Sequence, residues 1–251
     1  MNLFDQLFLF LVSLVANTFS AFSGGGAGLI QFPVLIFLGL SFGVALATHK
    51  VASVALGVGA AFRYLSTSKL ERQFVLMMLL FGVPGVVLGG SIILLVPDRI
   101  AEVALGFLTA SLGIYSIFKR SLGQEYQALH RDKLGLLRGA CVLFLLGVLN
   151  GSLTSGTGLF VTLWLVTWFG MDYQRAVAYT LVMVGLFWNA SGAITLGILG
   201  SIQWDWLPAL LLGSLLGGYT GAHMAIKYGN RWIKRAFEII TLLISVKLIW
   251  G

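Results

Sequence analysis

Apolar residues occur along this chain in long runs that are separated by polar or glycine-rich interruptions. In the first half the runs cover residues 3–20, 29–38, 44–65, 74–96 and 100–118. A helix that crosses a membrane needs about 20 apolar residues, so the second run is too short to cross and the first is near the lower limit. The pattern therefore predicts a short broken or re-entrant helical hairpin, followed by three transmembrane helices.

The second half of the chain repeats this series after one long charged stretch. Its runs cover residues 139–153, 159–169, 176–199, 206–226 and 232–250. Short motifs return at an offset near 130 residues, as in SGGGAGL at 23–29 and LTSGTGL at 153–159. This spacing predicts an internal repeat, with residues 1–118 as the first unit, 119–138 as the connecting loop and 139–251 as the second unit. Because each unit has an odd number of crossings, we expect two inverted-topology repeats.

Composition agrees with a membrane protein. Hydrophobic residues make up 58% of the chain, charged residues 10%, and the mean hydropathy is +0.95, whereas soluble domains are about half apolar and a quarter charged. The runs are too long for the strands of a membrane barrel, so the predicted fold class is an all-α integral membrane protein. Cys141 is the single cysteine, which excludes an intramolecular disulfide and leaves no cysteine pair for a metal or cluster.

The net charge of +7 has a membrane explanation that does not require a nucleic-acid partner. When the runs alternate across a membrane, 13 of the 16 Lys and Arg residues fall on one side. Arg99 and Lys247 fall on the other side, and Lys50 lies within a span. Cytoplasmic loops are enriched in Lys and Arg, so we expect both termini to lie outside the cytoplasm.

A lysine within a membrane span is the first candidate for function. Lys50 lies about seven residues into the third run, which is roughly 10 Å from its boundary. A buried charge is costly in a membrane and commonly functional, although a lysine can also extend its ammonium outward to the headgroups. His49 precedes it and is the best intramembrane candidate for coupled proton movement, while Thr48 is matched by Thr180 in the second half. The nine acidic residues are all predicted in loops or near segment ends, which favours an anionic substrate over a cation.

The glycine-rich segments supply a second feature suited to anions. The runs at 29–38 and 159–169 begin directly after SGGGAG and TSGTG, so their first amide groups lack helical partners and carry the positive end of the helix dipole. Glycine lets an anion approach these amides, and nearby hydroxyl groups can donate as well. Close helix packing is the competing interpretation, and it is preferred for residues 82–90 and 213–218.

Polar residues within the apolar runs either line a cavity or bond between helices; Asn17, Gln31, Asn150 and Asn189 are of this kind. The residues predicted to bind the substrate are Ser23, Gly24, Gly25, Gly26, Gly28, Thr48, His49, Lys50, Asn150, Ser155, Gly156, Thr157, Gly158, Thr180 and Asn189. No catalytic residue, metal site or cofactor is predicted.

Three motifs resemble the TauE/SafE family of sulfite exporters, also called toluene-sulfonate uptake permeases. They are SGGGAGLIQFPVL at 23–35, GLSFGVALATHKVAS at 39–53 and RWIKRAFEIITLLISVKLI at 231–249. The second repeat departs from the pattern, because TSGTGLFVTLWL has fewer glycines and no proline to match Pro33. The resemblance implies a multi-pass transporter of the bacterial inner membrane that carries sulfite, sulfoacetate or related sulfonates.

The resulting functional prediction is a secondary transporter that exports a small sulfur-containing anion by alternating access. An anion channel, or an uptake permease for another carboxylate or sulfonate, is the alternative. A membrane-embedded enzyme is disfavoured because the sequence has no buried carboxylate pair, no cysteine nucleophile with a base and no HExxH motif. The expected partners are a small anion and membrane lipid, without nucleic acid, and a homodimer is left open.

Overall fold

The computed structural model describes residues 3–67, 69–92, 103, 107, 110, 111, 113–119, 121–153 and 156–250. These residues form helices and connecting loops, with no strand among them. The helices are α1 (Leu3–Ser23), α2 (Gly28–Phe37), α3 (Phe42–Leu65), α4 (Arg72–Ile92), α5 (Lys133–Leu153), α6 (Thr157–Phe169), α7 (Tyr173–Leu199), α8 (Leu207–Tyr228) and α9 (Asn230–Trp250).

Six helices are long and apolar enough to cross a membrane: α1, α3, α4, α5, α7 and α8 with the short turn Trp204–Trp206 that precedes it. The all-helical membrane fold class is therefore confirmed. Helices α2 and α6 have 10 and 13 residues, which correspond to about 15 Å and 20 Å and are too short to cross alone. Within the described residues, a long helix, a short helix and two long helices follow one another in each half, and the inverted relation of the halves stays a prediction.

The hairpins differ from the prediction in the length of their first helix. Helices α1 and α5 have 21 residues each, whereas the apolar runs covered 3–20 and 139–153. Helix α5 starts at Lys133, six residues before the apolar run, because the polar residues before the run continue the helical backbone hydrogen bonding. Each hairpin thus combines one full span with one short helix. The predicted run 100–118 lies largely outside the described residues.

Helix α9 is not among the six apolar spans and carries a carboxylate further from its ends than the sequence indicated. Glu238 is the ninth of the 21 residues of α9. Its carboxylate pairs with Lys234, and Ser116 Oγ donates to it at 3.0 Å. The prediction that every acidic residue lies in a loop or near a segment end is therefore wrong for Glu238.

Glycines allow two pairs of long helices to approach closely. A Cβ added to Gly89 of α4 would lie 2.0 Å from Val148 O of α5, and one on Gly213 of α8 would lie 2.5 Å from Phe10 O of α1. The packing interpretation of residues 82–90 and 213–218 is thus confirmed, since backbone contact of this kind leaves no space for a side chain.

Two long helices contain π-helical stretches, Met78–Gly82 in α4 and Thr180–Trp188 in α7. The Trp188 side chain is fully buried and its Nε1 donates to Met78 O at 2.9 Å. A Cβ on Gly82 would lie 1.8 Å from the Trp188 ring, so this glycine makes room for it. The two π stretches are therefore locked together, and such stretches often occur at functional sites.

Candidate functional site

The two glycine-rich loops meet in the interior of the protein. Gly24, Gly25 and Gly26 all have positive φ angles, so the chain can reverse sharply between α1 and α2. A Cβ on Gly25 would lie 2.6 Å from Leu159 N, and Gly24 O accepts a hydrogen bond from Thr162 Oγ1 at 2.9 Å. The loop before α2 thus packs directly on the first turn of α6.

Helix α2 presents free amide groups at its start. The amide of Leu29 bonds to Gly26 O at 3.0 Å. Among the described residues, no acceptor is found for the backbone N–H groups of Gly26, Ala27 or Gly28. These three residues line one cavity, together with Gly158 at the start of α6. The arrangement places unpaired donors and the positive end of a helix dipole at the cavity wall.

The cavity lies where the short helices face α3 and α7. About 40 Å³ of it is open to the centre of a water-sized sphere, more than the roughly 10–15 Å³ that one water molecule needs. It is lined by Ser20, Gly25, Gly26, Ala27, Gly28, His49, Ser53, Leu56, Asn150, Thr157, Gly158, Thr180, Leu181, Val184, Gly185 and Asn189. No carboxylate is among these residues, so the lining offers hydrogen-bond donors without a negative charge.

Lys50 is completely buried and its ammonium group has three acceptors. Nζ donates to Asn150 O at 2.6 Å, to Asn150 Oδ1 at 2.7 Å and to Asn189 Oδ1 at 3.1 Å. Asn150 is one of the last four residues of α5, whose carbonyl groups lack helical partners, so the ammonium also caps that helix. Gly192 of α7 lies beside the lysine stem, where a Cβ would be 3.3 Å from Cδ. The ammonium does not extend to the protein surface.

The lysine fixes the orientation of both asparagine side chains. Because the ammonium attracts the two amide oxygens, the NH₂ groups of Asn150 and Asn189 point away from it. Asn150 Nδ2 donates to Thr157 Oγ1 at 2.8 Å, and Asn189 Nδ2 lies 3.4 Å from Gly185 O. Both asparagines line the cavity, whereas Lys50 does not. The positive charge therefore acts on the cavity through two oriented amides.

Comparison with known proteins places the chain among membrane transporters. Residues 9–248 match the family described as "Sulfite exporter TauE/SafE". The chain belongs to the TauE/SafE family. A "Probable membrane transporter protein" of Haemophilus influenzae is 30% identical over 96% of this chain and 93% of its own length. No solved structure gives a significant match.

More distant relatives have similar names. YfcA of Escherichia coli and YunE of Bacillus subtilis, each called a "Probable membrane transporter protein", are 24% and 22% identical over 96% of this chain, and the matches cover 88% and 96% of their own lengths. With the six apolar spans, these findings identify the chain as a multi-pass membrane transporter of the TauE/SafE family and not an enzyme.

This TauE/SafE transporter brings most of its sequence-predicted site residues to one cavity. Gly25, Gly26, Gly28, His49, Asn150, Thr157, Gly158, Thr180 and Asn189 line it. Lys50 follows the lining residue His49 but does not itself line the cavity, and Gly24 packs against Thr162. Gly156 ends the preceding loop with a φ of 77° and does not line the cavity. Ser155 lies outside the described residues. Whether these residues bind a substrate stays a prediction.

Two predicted hydroxyl groups of the transporter are used elsewhere. Ser23 Oγ donates to Phe19 O at 2.9 Å and to Gly25 O at 3.0 Å, which stabilises the glycine loop from behind. Thr48 Oγ1 accepts from Gln203 N at 3.0 Å and thereby holds the turn before α8. Neither residue lines the cavity.

The sequence reading missed Ser20, Ser53 and Gly185, which also line the cavity. Ser53 and Leu56 follow His49 at helical spacings of four and seven residues, so the face of α3 was visible in the sequence once His49 was chosen. The serine is common in membrane helices and carries no charge. For that reason composition alone did not distinguish it.

A pair of interhelical hydrogen bonds relates the two short helices of the transporter to the long helices that follow. His49 Nδ1 lies 2.6 Å from Gln31 Oε1, and Thr162 Oγ1 lies 2.9 Å from Thr180 Oγ1. In each case the partners are 18 residues apart. The motif match in the sequence aligned Thr48 with Thr180, whereas the hydrogen bonds place Thr180 in the position of His49. The hydrogen bonds therefore relate the two halves by an offset one residue shorter than the one that the motifs gave.

Proposed function

We propose that this transporter exports small sulfur-containing anions, such as sulfite, sulfoacetate or another sulfonate, by alternating access across the bacterial inner membrane. The observation that carries the proposal is the donor-rich cavity between the two glycine loops. It combines free backbone amides of α2 with two asparagines whose NH₂ groups are oriented by Lys50.

The charges around the cavity favour an anion over a cation. Lys50 contributes a full positive charge, and the helix start adds part of another. No described residue that lines the cavity is acidic. In surroundings of low dielectric constant, an anion near this charge gains far more than it would in water, and hydrogen bonds to a charged acceptor are about twice as strong as neutral ones.

The size of the cavity favours an anion of few atoms. Its open volume of about 40 Å³ exceeds the space of a single water and is small for an extended organic molecule. A compact oxyanion group such as sulfite or the sulfonate head of a larger substrate would place its oxygens against the amides. Carboxylate groups share this chemistry and are the natural competitors.

The direction of transport follows from charge distribution and membrane potential. The excess of Lys and Arg on one side favours an orientation with both termini outside the cytoplasm. The cytoplasm is negative, so each negative charge that leaves gains about 2.3 kcal/mol per 100 mV. The membrane potential therefore favours export of an anion over its uptake.

Ligand binding to the purified protein tests the proposal directly. Thermal shift is measured against sulfite, sulfate, sulfoacetate, taurine and simple carboxylates, and the anions that bind are then followed in proteoliposomes. We expect stabilisation by sulfite or a sulfonate, and saturable exchange. If carboxylates alone stabilise the protein, the proposed substrate class is wrong, and single-channel currents in a planar bilayer would contradict a carrier.

A matched pair of variants connects the binding to the cavity. Asn150→Ala removes an oriented donor from the cavity wall, whereas Asn230→Ala removes an asparagine whose side chain bonds to Gln124 O and Gln174 N in the loops. The first variant is expected to lose anion binding, and the second is expected to keep it. Equal loss in both would assign the effect to folding and remove the support for this site.

A further inference from the structure

A chain of buried hydrogen bonds runs from the cavity into the packed interface of α1 and α8. Ser53 Oγ lies 3.2 Å from His49 Nε2, and His49 Nδ1 lies 2.6 Å from Gln31 Oε1. Gln31 Nε2 donates to Ser13 Oγ at 2.8 Å, and Ser13 Oγ donates to Leu210 O at 2.8 Å. All four side chains in this chain are at most 3% exposed. The proposed anion site does not depend on this series of hydrogen bonds.

The hydrogen bonds of Ser13 determine the direction of the other bonds in this series. Ser13 has a single hydroxyl proton, which it can donate to Leu210 O at 2.8 Å or to Ser214 Oγ at 2.9 Å. Ser13 Oγ must therefore accept from the NH₂ group of Gln31, which leaves Gln31 Oε1 facing His49. That oxygen can only accept, so Nδ1 of His49 carries a proton.

The directions of these hydrogen bonds identify the nitrogen of the His49 imidazole that carries no proton. In the neutral ring, Nδ1 carries the proton and Nε2 is the acceptor. Nε2 faces Ser53 Oγ, and both residues line the cavity. On the side formed by α3, the cavity therefore presents a proton acceptor. Asn150, Asn189 and the start of α2 present donors to the same cavity.

The ionisable groups near His49 are few. Its neighbour Lys50 is the nearest charge, and that ammonium bonds to Asn150 and Asn189. Helices α2 and α6 contain no ionisable residue, α1 contains only Asp5 near its start, and α7 contains none after Tyr179. On α8, His223 lies beside Arg63, fourteen residues and about 21 Å along α3 from His49.

We propose that His49 takes up a proton at Nε2 when an anion occupies the cavity, so that the anion and one proton are bound and carried together. The inference rests on the proposed anion site. In the empty cavity a second positive charge beside Lys50 lacks a counter-charge. A bound anion supplies that counter-charge a few ångströms from the ring, where opposite charges favour the protonated form. Gln31 Oε1 already accepts from Nδ1, so the protonated ring keeps that partner, and the Ser53 hydroxyl rotates so that its oxygen accepts from Nε2 or the new N–H faces the anion.

Linkage makes the coupling reciprocal. If an anion strengthens proton binding at His49, a proton strengthens anion binding by the same factor. Over the pH range in which one proton is taken up, anion affinity then rises by up to about tenfold for each unit of decreasing pH. Transport then moves one proton with each anion. A dianion still leaves with one net negative charge, which the membrane potential favours, whereas transport of a monovalent sulfonate moves no net charge and follows the gradients of the anion and the proton.

Proton uptake on anion binding is the direct test. Purified protein in weak buffer with a pH-sensitive dye is mixed with methanesulfonate or sulfate, which stay fully ionised near neutral pH, and with sulfite against a protein-free blank. We expect the medium to become more alkaline by up to one proton per bound anion. In proteoliposomes, an outward gradient of the same anion is expected to drive protons outward.

Two variants separate the proton site from the anion site. His49→Asn retains an N–H group near the Nδ1 position but cannot gain a proton, and His49→Gln retains an amide near Nε2. Both are expected to bind the anion with an affinity that no longer changes with pH, and without proton uptake. Proton uptake that persists in either folded variant would overturn the proposal.

The outcomes also distinguish this inference from the proposed function. If the wild-type protein binds an anion without proton uptake and with an affinity that is flat with pH, the proton site is wrong while the anion site stands. If no anion of the panel binds at any pH, the proposed function itself fails. Should both variants fail to fold, the wild-type measurement alone still decides.

Discussion

The two halves of the site use the same interhelical hydrogen bond with different chemistry. In the first half the bond joins Gln31 of α2 to His49 of α3, and in the second half it joins Thr162 of α6 to Thr180 of α7. A threonine pair can only position helices, whereas an imidazole can also change its charge. The scaffold is therefore duplicated, but the ionisable groups, His49 and Lys50, lie in the first half alone.

The glycine loops differ in a parallel way. Gly25 in the first loop packs on the backbone of α6, where a Cβ would lie 2.6 Å from Leu159 N. At Gly156 in the second loop the nearest atom to an added Cβ is Leu29 Cδ1, at 3.8 Å. The first loop is thus inserted tightly, and the second has space around it. The loop with more glycines is therefore the one with the closer backbone contact.

The largest effect on anion binding is expected from removing the Lys50 charge, which orients the side-chain amides of Asn150 and Asn189 in the second half. Lys50→Met leaves three buried acceptor oxygens without a donor and frees both asparagine side chains to rotate. Anion affinity is expected to fall well over tenfold, equivalent to more than about 1.4 kcal/mol. Binding and proteoliposome transport measure this, and near-normal values for both would show that the amides need no orientation by Lys50.

The second prediction compares the glycine loops. Gly25→Ala combines a positive φ with a backbone clash, each of which costs about 1–3 kcal/mol, whereas Gly156→Ala incurs only the strain of the positive φ. Thermal unfolding in detergent is expected to show the larger loss for Gly25→Ala. Equal losses would mean that the two loops are packed alike.

A smaller difference is expected between the two asparagines. Asn150 receives two hydrogen bonds from Lys50 and donates to Thr157, whereas Asn189 receives one bond from Lys50, at 3.1 Å. Asn150→Ala should therefore weaken anion binding more than Asn189→Ala, by about threefold to tenfold, if hydrogen bonds to charged groups contribute about 1.5–3 kcal/mol and rearrangement recovers part of it. The reverse order, measured by ligand titration, would identify Asn189 as the main donor.

The smallest effect on anion binding is expected where the bond is purely structural. Thr162→Val removes the hydroxyl that bonds to Thr180 and to Gly24 O. Stability should fall by about 1–3 kcal/mol because a buried carbonyl loses its donor. The pH dependence of anion binding should stay that of the wild type. A changed pH profile would show that the second half also takes part in proton binding.

Much of the architecture was accessible from the sequence because membrane insertion makes hydropathy decisive. The runs at 44–65 and 74–96 correspond closely to α3 and α4, and the short runs became α2 and α6. Lipid contact penalises exposed backbone groups so strongly that apolar runs of this length must be helical. The run at 232–250 likewise corresponds to α9, but the pairing of Lys234 with Glu238 inside it was visible only in the structure.

The site was predicted in part. The glycine loops, His49 and both asparagines were found because polar or flexible residues are rare in such segments. Ser20 and Ser53 were missed because their importance depends on the helix face they occupy. Lys50 was found, but its position behind the cavity wall depends on acceptors 100 and 139 residues away in the chain.

The amino-acid sequence was sufficient to predict the class of protein, the repeated order of helices and the presence of one charge within a span. These properties depend on local hydropathy and on helix length, which are read residue by residue. The folded protein was needed to see that the glycine loops touch, that Lys50 orients two amides and that Nε2 of His49 faces the cavity beside Ser53. Each of these depends on hydrogen bonds between distant helices, whose direction no local pattern records.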